Sequence, residues 1–155
     1  MLTGFLDHYR ATLRLKCDGL TPDQLAERSV PPSSLSLLGL VRHMAEVERG
    51  WFRGFAQEET EPRYYSDDDI DGDFDNVRAD QGEVDEAFAY WQAEIEHARE
   101  IVAGAALDET LTRTRRGETQ AMSLRWIVVH MIEEYARHCG HADLLRERID
   151  GVTGY

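Results

Sequence analysis

Four long stretches of the chain repeat their apolar residues every three or four positions, the interval of an α-helix with one buried face. In "LTGFLDHYRATLRLKCDGL" the stripe is Leu2, Phe5, Leu6, Tyr9, Leu13 and Cys17, and Gly19 is a natural stop. The second, within "VPPSSLSLLGLVRHMAEVERGWFRGFAQ", carries Leu37, Leu40, Val41, Met44, Val47, Trp51 and Phe55. Pro31 and Pro32 block any helix before it, and a serine among positions 33 to 36 can cap it. The third, "EVDEAFAYWQAEIEHAREIVAG", places Val84, Phe88, Trp91, Ile95 and Val102 on one side. Ser123 caps the fourth, which runs from Leu124 to about Ile149 and closes at Asp150-Gly151.

The connections read differently. "TPDQLAER" has Thr21 as N-cap, Pro22 at the first helical position and Gln24 completing a capping box, enough for one or two turns. Positions 58 to 82 form an acidic, turn-rich loop. The threonines of "ALDETLTRTRRGETQAM" and a turn at Gly117 predict an irregular or weakly extended connection without a convincing strand. The expected fold is all-α: a single four-helix-bundle domain over 1–155, with a long acidic loop between the second and third long helices. The 58–82 and 104–122 connections both leave room for a crossover.

Composition narrows the function. With 155 residues, 42% hydrophobic and 30% charged, the chain is long enough to bury a core and reads as soluble and globular. Its net charge of −13 argues against nucleic-acid binding and against docking on anionic membranes. No apolar run approaches the roughly 18 residues of a membrane span. The N-terminus lacks a basic segment followed by an apolar block, so no secretory signal is read. Cys17 and Cys139 match no paired ligand spacing and are read as reduced thiols of a cytoplasmic protein. A small-molecule partner is the expectation that survives.

The fourth helix holds the chemistry. "HMIEEYARHCGHADLLRE" places His130, Glu134, His138 and His141 on one stripe, at wheel angles of about 0°, 40°, 80° and 20°. His130 and His141 are about 16 Å apart along the axis, too far to share an ion, whereas Glu134 and His138 are about 6 Å apart and can converge on one cation. His43 on the second helix, among Leu40, Val41, Met44 and Val47, points towards the interior and is the candidate third ligand. Spacing alone leaves two other readings open: a structural His–Glu hydrogen bond and a solvated polar stripe. His8 and His97 fit less well. Glu133, about 100° round from Glu134, is expected to face another element.

On the residues "SLSLLGLVRHMAEVERGWF", "SLRWIVVHMIEEYARHCGHADLLRERIDG" and "LRLKCDGLTPDQLAERSVPPS", the chain resembles the DinB/YfiT-like superfamily over nearly its whole length, in its actinobacterial branch. The resemblance implies a four-helix bundle, commonly a homodimer, holding a divalent metal through one histidine of the second helix and two ligands of the last. It selects His43, Glu134 and His138, the His/Glu/His version found in the related mycothiol-dependent maleylpyruvate isomerase domain. Zinc is the expected metal, with nickel or iron as alternatives.

Three protein ligands leave a coordination position open. The resemblance implies that a low-molecular-weight thiol such as mycothiol takes it, is activated as a thiolate, and attacks an electrophile in S-transfer or isomerisation. Lys16 is the only lysine among 17 basic residues, an arginine skew that suggests a GC-rich genome and favours mycothiol. A non-catalytic metal-binding or stress-related bundle and a metal-dependent hydrolase are the alternatives. No catalytic residue beyond the ligands is expected. His130, His141, Arg42 and Arg137 are candidates for supporting the ligands or contacting substrate. For both arginines an outward, ion-paired position is the competing reading.

The stretch "DDDIDGDFDNVR" begins like a calcium loop at Asp67, Asp69, Asp71, Gly72 and Asp75. Its twelfth position is Arg78 and not the bidentate glutamate such a loop needs, so a solvated loop bordering the pocket is expected. Tyr64 and Tyr65 are expected either to cover the site or to pack on the bundle.

Overall fold

Helix α1 (Leu2–Cys17) buries Leu6, Leu13 and Cys17 on one face and ends at Gly19, whose φ of 76° is the left-handed conformation that favours glycine. The computed structural model describes residues 1–115 and 118–154, with the backbone alone for 113–115 and 118–120. Thr21 and Gln24 form the expected capping box at the start of α2 (Pro22–Ala26). Ser36 begins α3 (Leu37–Glu48): its hydroxyl accepts from the Gly39 N–H at 3.1 Å. A five-residue π-helical turn (Arg49–Arg53) then continues the helix. After one turn of α4 (Gly72–Asp75), Asp80 caps the 24-residue α5 (Gln81–Gly104). Strands β1 (Thr110–Arg115) and β2 (Glu118–Ser123) lead into α6 (Leu124–Asp150), which Ser123 caps by accepting from the Trp126 N–H at 3.2 Å.

The long helices pack α1 on α6 and α3 on both α5 and α6. Leu13 of α1, Leu40 and Met44 of α3, Trp91 of α5, and Ile127, Met131 and Tyr135 of α6 meet in the core and are almost wholly inaccessible. A polar cluster runs through it. The Arg10 guanidinium makes two 2.7 Å hydrogen bonds to the carboxylate of the fully buried Glu48. Tyr135 donates to Glu48 at 2.7 Å, and the Trp91 indole N–H donates to the Tyr135 oxygen at 2.8 Å. One residue from each long helix therefore enters a single network, which satisfies groups that burial would otherwise penalise.

Two expectations need correction. The all-α reading missed a hairpin: β1 and β2 pair antiparallel, from Thr110 opposite Ser123 to Arg115 opposite Glu118. Its β-branched threonines suit strands, but with only Leu111 and Met122 as apolar partners the alternation that betrays a half-buried strand is nearly absent. The turn expected at Gly117 lies outside the described residues. The acidic loop also has more structure than expected, since it contains α4 and buries Gly72 and Asp73.

Candidate metal centre

Helix α3 sets His43 between Val41 and Met44, both fully buried, and leaves the imidazole itself only partly exposed. On α6, Glu134 and His138 sit one turn apart on the face turned towards α3. The three meet: one ligand atom from each of His43, Glu134 and His138 lies within 4.8 Å of the other two. The His43 and His138 ring centroids are 4.7 Å apart, and Glu134 Oε2 is 3.6 Å from His138 Nε2. Two imidazoles and a carboxylate are a donor set for a divalent transition metal. Around a tetrahedral ion at about 2.0–2.1 Å, ligand atoms stand about 3.3–3.4 Å apart, so each group needs to shift by only about 1 Å to close on a cation.

Each of the three has a neighbour behind it. His43 Nδ1 is 2.7 Å from Oδ2 of Asp73, which is nearly buried. His138 Nδ1 faces His141 Nδ1 at 3.4 Å. Glu134 Oε1 lies 3.5 Å from His130 Nε2 and 3.6 Å from an Arg137 nitrogen. Burial, reinforced by the nearby charges of His43, His141 and Arg137, pushes the His138 imidazolium down to about 3. His138 is therefore neutral across the physiological range, the form in which an imidazole offers a lone pair.

The remaining candidates are spread out. Arg42 is buried, does not touch the triad, and donates to Glu83 and to the Gly72 carbonyl, so its ion pair points into the protein. Arg137 is exposed, as its competing reading has it. Glu133, expected to face another element, is exposed and pairs with His130 of its own helix at 3.8 Å. His97 pairs with Glu58 and Glu100, and His8 is exposed. The tyrosines split: Tyr64 packs on Arg42 and Tyr90, whereas Tyr65 lines the cleft beside His43.

That cleft has a volume of about 290 Å³ and is lined by His43 and Asp73 together with Val47, Trp51, Tyr65 and Ile70. Trp51 reaches it from the π-helical turn, and π-turns recur at functional sites. Beside it, the His130 ring stacks on Trp126 at 5.0 Å and meets Trp51 edge-on at 4.6 Å, joining the aromatic wall to the Glu134 side of the triad. Two acids here escaped the sequence reading. Asp73 is hidden inside a run of aspartates whose other members are exposed, and the fold brings it to His43, 30 residues away in sequence. Glu46, on α3, accepts from the N–H groups of Arg63 and Tyr64 and from Arg49, and so fastens the start of the acidic loop.

A mainly helical chain that brings one histidine of an early helix to a Glu/His pair on its last helix is a protein of DinB/YfiT-like type. The chain belongs to the mycothiol-S-transferase family, whose model matches residues 1–151. A crystal structure of a conserved protein from Enterococcus faecalis shares the fold, with a TM-score of 0.72 and 12% identity over 97% of this chain and 96% of that one. No curated protein matches the sequence.

Proposed function

We propose that this protein is a divalent-metal-dependent thiol S-transferase that activates mycothiol, or a closely similar thiol, at an open site formed by His43, Glu134 and His138. The observation that carries the reading is the meeting of those three side chains beside the cleft, in a chain of the mycothiol-S-transferase family. A bound divalent ion supplies one thing: it lowers the pKa of a coordinated thiol, ordinarily about 8.5, so that the thiolate is present at neutral pH. The chain does the rest. His43, Glu134 and His138 would hold the ion, three protein ligands being the number that leaves a position for an exogenous group, and Val47, Trp51, Tyr65 and Ile70 offer an apolar wall for an electrophile. In transfer the sulfur forms a bond to the electrophilic carbon, the carbon–halogen or equivalent bond breaks, and the thiol proton goes to solvent.

The reading extends to a cytoplasmic homodimer of single-domain four-helix bundles with zinc as the metal. Within the chain, no helix is long and apolar enough to cross a membrane among the described residues.

The test has two stages. Gently purified protein is expected to contain about one equivalent of metal, and His43→Ala almost none, by elemental analysis. Metal-loaded protein is then expected to accelerate conjugation of mycothiol to a halogenated bimane, with His43→Ala inactive. Metal without acceleration across several electrophiles would instead leave the non-catalytic metal-binding reading, and hydrolysis of ester probes would favour a hydrolase.

A further inference from the structure

We propose that Asp73 is a positioning residue for the metal centre: by holding Nδ1 of His43 it turns Nε2 towards Glu134 and His138. The inference rests on the metal-site reading above and adds to it a part of the chain that would otherwise pass for a solvated acidic loop.

The geometry is specific. An ionised carboxylate only accepts, so the 2.7 Å contact from His43 Nδ1 to Asp73 Oδ2 places the ring proton on Nδ1 and leaves the lone pair on Nε2. Asp73 is itself fixed, because its other oxygen accepts from the Phe74 N–H at 3.0 Å. Phe74 then covers the face of the same imidazole, with ring centroids 4.8 Å apart and planes 29° from parallel. The histidine is therefore held along one edge and across one face by two consecutive residues.

The helix makes room for this grip. Gly39 lies one turn before His43, and a Cβ there would stand 3.2 Å from the Phe74 ring. Arg42, the residue beside His43, donates to the Gly72 carbonyl at 2.8 Å and to Glu83 at 3.0 Å, which ties the loop down immediately before Asp73. Gly72 cannot be larger without displacement, since a Cβ would come within 2.5 Å of the Tyr64 carbonyl oxygen. A residue with no metal contact of its own thus anchors the one that orients a ligand. Carboxylates behind ligating histidines commonly fix the tautomer and change metal affinity by about 10–100-fold when removed.

The experiment uses the full chain and Co²⁺, read by its visible absorption and by competition with a chromophoric chelator. Asp73→Ala is expected to bind Co²⁺ about 10–100-fold more weakly than the parent. Asp73→Asn can offer its amide oxygen to Nδ1 only by turning its NH2 towards the Phe74 N–H, so its affinity is expected to fall between those of the parent and Asp73→Ala. Both should remain folded when metal-free, with a single cooperative thermal transition. A second readout is independent of metal: at pH 8, nitrogen-15 NMR of the metal-free parent should show His43 protonated on Nδ1, and Asp73→Ala should shift it towards the Nε2–H form. Equal Co²⁺ affinity in Asp73→Ala, or an Nε2–H tautomer in the parent, overturns the proposal. Failure of the parent to bind Co²⁺ at all sinks the metal centre, and this role with it.

Discussion

Glu48 carries an acid into the middle of an apolar face: it lies one turn beyond Met44 and is completely buried. Burial alone lifts its carboxyl above the ordinary carboxylate value, and Arg10 and Tyr135 pull in the opposite direction without fully offsetting it. The arginine is held charged by the same contact. Removing one partner of such a buried pair leaves the other unpaired, a loss of about 3–5 kcal/mol, whereas a well-packed apolar replacement of the whole set can be neutral. Arg10→Ala is accordingly expected to lower the unfolding free energy by about 3–5 kcal/mol in urea titration, with little change in metal content. A cost below about 1 kcal/mol would show that water or another group takes the place of Arg10. None of this network is visible in the sequence. Spacing puts Glu48 on the stripe, four residues after Met44, but does not reveal its partner, because Arg10 is 38 residues away. The triad was more accessible: Glu134 and His138 are a local pair on one helix, and His43 stands out as an imidazole among leucine, valine and methionine. Asp73 had no such local signal.

At the scale of elements, start signals were the most legible feature. Ser36 and Ser123 each satisfy a backbone N–H that the first turn of a helix leaves without a partner, and these two helices carry all three triad residues. Ser36→Ala and Ser123→Ala are each expected to cost about 1 kcal/mol, measured as a shift of the denaturation midpoint at constant slope. Ser36 is almost inaccessible, so its loss should be the larger of the two. What escaped was the structure between helices. The hairpin is polar along most of both strands, α4 is a single turn, and the π-helical turn has the same apolar spacing as the α-helix it interrupts.

For the whole molecule the net charge of −13 sets the background, and ion pairs across elements act against it. Burial by itself would raise Asp7 and Glu58, but hydrogen bonds from Arg99 and Arg10 to Asp7, and from His97 and Arg53 to Glu58, outweigh it and hold both carboxyls below their ordinary values. A carboxyl depressed in the folded state favours folding at pH values above its unfolded value, 3.8 for Asp7 and 4.5 for Glu58, and that contribution disappears as the pH falls through the folded value. Relief of self-repulsion on acidification acts in the other direction. The two are separated by comparison: between pH 6 and pH 3 the parent's urea midpoint should fall more steeply than that of an Asp7→Asn, Glu58→Gln double variant. Parallel curves would mean that the pairs contribute nothing at this exposure.

The wide turn at Arg49–Arg53 accommodates one residue more than α-helical winding would, so the segments on either side keep their faces while Gly50 and Trp51 swell out beside the cleft. The Trp51 indole also meets the His130 ring, which reaches the carboxylate of Glu134, so the room offered to an incoming molecule is tied to the groups behind it. A change of length at this one spot would therefore be felt both by what enters and by what waits inside.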